Sequence, residues 1–331
     1  MPSPPPASRA AVIVVLAVPA IVAFALWAFA WPAARTGPND LPVGVAGQGA
    51  AAEQVAEQLR AREGAFDVTR YDGADEAAEA VRDREVYGAF VVGGDGGPEV
   101  LTASAGGPAV AQLLTELASA QAPEGAPVTV TDVVPAPEGD PRGAAFNASV
   151  LPMALAGMAT GVLVTRLRLG RVPALLAMVG ASVTVGLVAA AIGHGWLDVL
   201  GGSWLAVTAA LALIVLAGAG LVAGSAKLLG PGGIAVGALI LILLGNPWSG
   251  AGSAPQMLPD PIPVIGPWLP TGAGATLLRS VAFFDGAGAA FPAAVLGGWA
   301  ALGTAALLLA RRRAPAPSGP PDADARIPAT V

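Results

Sequence analysis

Residues 10–31 read AAVIVVLAVPAIVAFALWAFAW, a run with no charged side chain. A helix needs roughly 20 apolar residues to cross the hydrocarbon core of a bilayer, so this run predicts a membrane span. The next stretch is its opposite. Residues 36–145 hold 18 of the chain's 23 acids. Beyond them lie five more charge-free runs, at 146–165, 172–193, 203–224, 229–246 and 289–310, the fourth of these being the shortest. The reading is a polytopic α-helical membrane protein of about six spans, with an extracytoplasmic α/β domain inserted between spans one and two. The expected division is 1–35 for the N-terminus and first span, 36–145 for the domain and 146–313 for a five-helix bundle. A disordered Pro- and Ala-rich tail is expected over 314–331.

Composition supports this class. The 331 residues are 54% hydrophobic and 12% charged, with a mean hydropathy of +0.66. A soluble domain carries about a quarter charged residues. The chain has no Cys, so no disulfide or thiolate metal site is available. Its one Lys is Lys227, and Ala, Gly, Pro and Arg dominate, which points to a GC-rich bacterial genome. No basic stripe suited to nucleic acid is present, and no cofactor motif stands out.

The short loops set the orientation. Arg9 precedes span one, Arg166, Arg168 and Arg171 separate spans two and three, Lys227 separates spans four and five, and Arg311, Arg312 and Arg313 follow span six. Under the positive-inside rule these loops and both termini are cytoplasmic, and 36–145 is outside. Ala28-Phe29-Ala30 resembles a signal-peptidase site. The apolar run is longer than a usual signal-peptide core, so an uncleaved anchor is expected, and cleavage would leave five spans.

Within 36–145 the pattern predicts β-α-β-α-β-β-α-β: strands at 41–45, 66–71, 86–92, 99–103 and 128–134, and helices at 51–62, 74–82 and from Pro108. A domain of about 110 residues can build its own core. Gly44, Gly47 and Gly49 lie between strand and helix, but the spacing is G-x-x-G-x-G and no P-loop Lys follows, so they read as a tight turn.

No Asp, Glu, Lys, Arg or His falls inside the six runs. Ion-driven pumps keep such residues at depth. Glycines one helical turn apart, Gly157 with Gly161, Gly220 with Gly224 and Gly233 with Gly237, permit close helix approach, chiefly within the protomer. His194 stands alone as an interfacial polar residue. Trp27, Trp31, Trp196, Trp204 and Trp248 fall near predicted boundaries, as an aromatic belt would. The 247–288 loop carries seven prolines, all between Pro247 and Pro270 and including Pro259, so its first half cannot be a regular helix. Residues 273–284 are amphipathic, with Leu277, Leu278, Val281 and Phe284 opposed to Arg279 and Ser280. They read either as a helix dipping into the outer leaflet or as an ordinary outer loop.

Taken with these residues, the chain resembles ABC transporter permeases of the second, exporter type, in the subgroup with a large outer domain between spans one and two (phage-infection-protein-like). Three stretches carry the resemblance. They are the outer-domain segments Leu41–Gly47, Phe66–Tyr71 and Glu76 through Val92, the Arg166–Arg171 loop, and the segment before the last span. That last stretch comprises Met257-Leu258-Pro259, Trp268-Leu269-Pro270, Leu278-Arg279 and Phe283-Phe284-Asp285-Gly286. The resemblance implies a permease that dimerises with itself or a second permease and is driven by a separate cytoplasmic ABC ATPase, with Arg166, Arg168 and Arg171 as the coupling loop. The chain has no Walker motif and no catalytic constellation, so no enzymatic activity is expected of it. An amphipathic or lipid-like cargo in contact with membrane lipids suits spans without charge. The alternative is a membrane receptor or envelope-assembly scaffold working through its outer domain.

Overall fold

The computed structural model describes residues 7–93, 98–122 and 127–309. The 314–331 tail, part of the Gly93–Gly97 turn and the Arg311–Arg313 cluster lie outside the described residues. Helix α1 (Ala7–Ala34) leads into a sheet domain built from β1 (Leu41–Ala46), α2 (Ala50–Arg60), β2 (Phe66–Tyr71), α3 (Ala74–Arg82), β3 (Gly88–Val91), β4 (Glu99–Thr102), α4 (Pro108–Gln121) and β5 (Thr129–Asp132). The helical part comes next as α5 (Ala144–Arg166), α6 (Arg171–Ala190), α7 (Trp204–Leu229), α8 (Pro231–Ala238), α9 (Ile262–Ile265), α10 (Pro270–Phe283) and α11 (Ala290–Leu309).

The strand order is β2-β1-β3-β4-β5. β1 runs parallel to β2 and β3, β3 pairs antiparallel with β4, and β4 runs parallel to β5. Alternation along the strands sorts side chains onto two faces. Val43, Val45, Phe90 and Val100 face α2 and α4, where Ala52, Ala56, Leu59, Val110 and Leu114 close one core. Ala46, Ala89 and Leu101 face α3, where Ala77, Ala80 and Val81 close the other.

Neither core is closed by residues 36–145 alone. Ala254 and Met257 are buried in the first, and Phe284 in the second. The length of the charged block predicts a domain that completes its own core. The structure instead gives each face an apolar side chain borrowed from the Pro-rich segment more than a hundred residues downstream.

Five helices are long and apolar enough to cross a membrane: α1, α5, α6 with its π-turn extension to Trp196, α7 and α11. This is a polytopic helical membrane protein. The run at 229–246 is expected as a full span, but it forms α8 and a π-turn over Leu239–Leu244, giving an apolar helix of Pro231–Leu244. At 1.5 Å per residue that is about 21 Å, short of the roughly 30 Å core.

Helix α7 is the hub, with 67% of its most apolar stretch buried, whereas α1 is 6% buried over the same measure. α7 packs against α5, α6, α8, α10 and α11. Glycines set these crossings. A Cβ on Gly157 would lie 3.0 Å from the Val215 carbonyl, and one on Gly161 would lie 2.8 Å from that of Ala219. A Cβ on Gly220 would lie 3.3 Å from Ala300 Cα, and one on Gly224 would lie 2.9 Å from Gly303 Cα. Gly233 faces Ser225, and Gly237 sits 3.0 Å from Val222 Cα by the same construction. Gly303, which belongs to no spaced pair in the sequence, meets the Gly220 backbone and is among the tightest.

Gly161→Val and Gly303→Val should therefore force these helices apart, at about 1–3 kcal/mol each. The check is the thermal midpoint of the purified protein in detergent. Gly180→Ala, which meets open space, should leave it unchanged.

Candidate functional site

The helix contacts fix the level of each segment along the bundle. Gly186 of α6 meets Thr208 and Ala212 near the start of α7, and Gly274 of α10 meets Ile214. Gly201 and Gly202, just before α7, touch Val281 and Ala282 at the end of α10. α10 thus runs antiparallel to α7, with its C-terminal end at the end of the bundle that carries the sheet. The π-turn after α8 places Leu241 beside Gly218, and Gly245 meets Thr271. Gly218 is fourteen residues into α7 from Trp204, so the chain leaves the helix about 21 Å short of the sheet end.

From there it climbs without regular structure. Trp248, Ala251 and Ala254 are buried, and the chain reaches the sheet, where Gly37 and Asn39 donate from their backbone N–H groups to Met257 and Gln256 carbonyls at 2.9 and 2.8 Å. The Asn39 amide nitrogen donates to the Leu258 carbonyl at 2.7 Å. The chain then turns back. Trp299, well inside α11, donates from its indole to the Trp268 carbonyl at 2.8 Å. α10 climbs again to Phe283. Residues 258–283 therefore form a hairpin that dips among the helices and returns.

The sequence places Arg279 and Ser280 on a polar face of α10 opposed to an apolar one. The structure buries both faces: Arg279 is 3% exposed, Ser280 0%, and Leu278 2%. Pro270 and Phe284 are buried at its two ends, and Pro259 is half-buried at the top of the descending limb. The Arg279 guanidinium donates to the Ala251 carbonyl at 2.9 Å and lies 4.8 Å from the Phe146 ring centroid. It thus satisfies a backbone carbonyl that the unwound climb leaves without a helical partner. A buried carbonyl without such a partner is costly.

A second arginine reaches the same junction from the sheet. Arg84 follows α3 with a left-handed backbone, φ 62°. Its Nη1 donates to the Thr276 carbonyl at 3.2 Å and to the Ser280 hydroxyl, and its guanidinium lies 5.1 Å from the Phe284 ring centroid. Among the described residues neither Arg84 nor Arg279 forms an ion pair, the salt bridges present being Glu53 with Arg60 and Arg70. Tyr87 stands between them, donating to Gln256 Oε1 at 2.9 Å. Burial raises the Tyr87 phenol, with Arg84 and then Arg279 pulling it the other way. Burial lowers the Arg84 guanidinium, opposed by Tyr87. Among the described residues no carboxylate lies within ion-pair distance of either guanidinium, although Asp140 shares a small cavity with Arg279 and Glu85 lines the cleft beside Arg84.

Arg84, Tyr87, Gln256 and Thr276 border a cleft of about 310 Å³ between the sheet and the hairpin, and Arg279 lies outside its lining. Pro42, Tyr87 and Gln256 form one wall, and Pro267, Phe284 and Phe291 another. Glu85 lines the rim and is exposed. At the mouth Phe291 is 47% exposed, and it meets the exposed Trp268 edge-on with ring centroids 5.0 Å apart.

The remaining expected residues lie elsewhere. Arg166, Arg168 and Arg171 are at the opposite end of the bundle, between α5 and α6, with Arg168 in a left-handed turn at φ 51°. His194 Nε2 is 3.0 Å from the Gly202 carbonyl. Trp248 is buried against Trp27, and Trp27 stacks on Trp31 at 5.5 Å, so this trio packs α1 onto the unwound climb. Asn39, Arg84, Tyr87 and Gln256 were not singled out by the sequence. None belongs to a recognisable motif, Arg84 lying in the charged run Arg82-Asp83-Arg84-Glu85, and only the fold shows that they converge.

The chain matches no family model, and no curated protein or solved structure is significantly similar to it. What the helices and their apolar surfaces define is the class: a multi-pass helical membrane protein that carries a mixed five-stranded sheet between its first and second long helices.

Arg279→Ala should cost about 1–3 kcal/mol by leaving the Ala251 carbonyl unpaired. The loss should appear as a lower thermal midpoint in detergent, partly recovered in Arg279→Lys. Arg168→Ala, at an exposed turn, should stay within about 0.5 kcal/mol.

Proposed function

We propose that this chain is the membrane subunit of an ABC-type exporter, moving an amphipathic or lipid-like compound with energy from a separate cytoplasmic ATPase. The observation that carries the reading is the junction between sheet and hairpin. The stretches that resemble exporter permeases, Leu41–Gly47 and Val86–Val92 on one side and Met257 through Gly286 on the other, lie against each other around one cleft. The cleft is largely apolar with the Arg84 guanidinium at one side, the pairing of chemistries an amphiphile requires. The long helices carry no charge at depth, which favours an external energy source over ion coupling.

In this reading the chain crosses the membrane six times, with the short α8 and its π-turn as the fifth crossing, completed by the buried climb from Gly245. Irregular backbone at that depth is tolerated because protein surrounds it. Both termini are cytoplasmic and the sheet domain is outside. Arg166, Arg168 and Arg171 meet the ATPase, and two permeases form the working unit, alike or different. The absence of Cys permits a direct orientation test. A single Cys at Thr131, on the exposed face of β5, should react with a membrane-impermeant maleimide in intact cells. One at Arg168 should react only after permeabilisation. The reverse pattern would invert the topology.

A receptor or envelope-assembly scaffold is the second reading. It is favoured by a groove of about 500 Å³ at the carboxyl end of β3 and the start of β4, between α2 and α4. Affinity purification of the full chain from its native membranes separates the two. A Walker-motif ATPase should co-purify and be lost in a triple Arg166→Glu, Arg168→Glu, Arg171→Glu variant. If no ATPase binds and deletion leaves export unchanged, the exporter reading fails.

A further inference from the structure

We propose that the cleft between sheet and hairpin binds the anionic head group of a membrane amphiphile, with Arg84 as the anion contact and the chain lying along Phe291 and Trp268. The inference deepens the export reading, since its meaning as a cargo site rests on that function, but the binding itself does not require a partner.

Three features of the cleft converge. The first is charge. Arg84 spends only Nη1 on protein partners, and among the described residues its Nη2 and Nε make no hydrogen bond. No carboxylate among them lies within ion-pair distance. A guanidinium presents paired donors suited to two oxygens of a phosphate or carboxylate. Its unused edge has that geometry available beside the cleft, and Arg279 adds a second positive charge behind it.

The second feature is rigidity. Ser280 and the Thr276 carbonyl fix Nη1, and Phe284 lies against the guanidinium face. An anion therefore meets a side chain already held in place, which lessens the entropy lost on binding.

The third feature is the direction in which the cleft opens. Pro267, Phe284 and Phe291 make its wall apolar, and Phe291 and Trp268 are large apolar side chains left exposed at the start of α11 and the turn of the hairpin. Neither the 262–268 segment nor α11 carries a charged side chain, so an alkyl chain lying over Phe291 and Trp268 would meet apolar groups. A free inorganic anion would use Arg84 alone. An amphiphile uses the whole arrangement. Glu85 stands exposed at the rim and discriminates against a second negative charge there.

The test uses the purified full-length protein in a neutral detergent, with ligand adducts counted by native mass spectrometry. Short-chain phosphatidylglycerol, the matching diacylglycerol and inorganic phosphate are the probes. Phosphatidylglycerol should bind about tenfold more tightly than the diacylglycerol, which lacks the phosphate, the worth of one charge-assisted hydrogen bond. It should exceed inorganic phosphate by at least as much. Arg84→Gln should abolish the preference and Arg84→Lys should retain part of it. Phe291→Ser, at an exposed position, should weaken phosphatidylglycerol binding without lowering the thermal midpoint. It keeps the test decisive if Arg84→Gln fails to fold.

Equal binding of the two lipids overturns the proposal. So does inorganic phosphate matching the lipid, or a preference that survives every variant that folds. Because no ATPase is present, a positive titration alongside failed co-purification would strike only the export reading. The converse would strike only the site.

Discussion

The backbone between Gly245 and Leu269 is the constraint around which the rest is arranged. It leaves helical geometry while still level with the middle of α7, where its polar groups have no water to turn to. Every neighbouring element helps cover or satisfy it. Arg279 reaches the Ala251 carbonyl. The Ser249 hydroxyl accepts from the Ala251 N–H and donates to the Asn246 carbonyl. Trp27 and Trp31 of α1 lie over Trp248, and the sheet seals the top through Asn39 and Met257. The two arginines without ion-pair partners arise from the same demand. They meet carbonyls, a hydroxyl and aromatic rings, because those are what an unwound segment and its packing supply.

The sheet and the helices are consequently a single piece of architecture. α5 begins where Asp140, 6% exposed, accepts the Phe146 N–H at 2.9 Å. Phe146 then packs against Arg279 and Phe283. Gly107, at the head of α4, sits 2.7 Å (by its absent Cβ) from the Ser253 carbonyl. A displacement of the hairpin is therefore felt by α3, α4 and α5 together.

Much of this was legible in the sequence because the signals are local. Charge-free runs of helical length mark α1, α5, α6, α7 and α11, and period-two and period-3.6 patterns mark β2, α3 and α4 within a residue or two. The run at 229–246 reads as one continuous helix because hydropathy registers apolarity and not continuity. The π-turn at Leu239–Leu244 and the departure at Gly245 leave composition unchanged. The polar face assigned to α10 was a real periodicity, but periodicity cannot distinguish a face toward water from one toward a carbonyl, and Arg279 meets the second. Arg84, Tyr87 and Gln256 had no signal to offer. Their significance is their meeting, which spans about 170 residues of chain.

The borrowed side chains of the sheet set an order on biogenesis. Residues 36–145 leave the ribosome well before Ala254, Met257 and Phe284 exist. During that interval the strands can pair, yet two apolar faces stay open beside the membrane. They close only when the hairpin has been threaded to its depth and brought back, which in turn awaits α11 to hold Trp268 through Trp299. The last described helix thus completes the sheet domain, and a chain that stalls before α11 presents the membrane surface with an unfinished sheet.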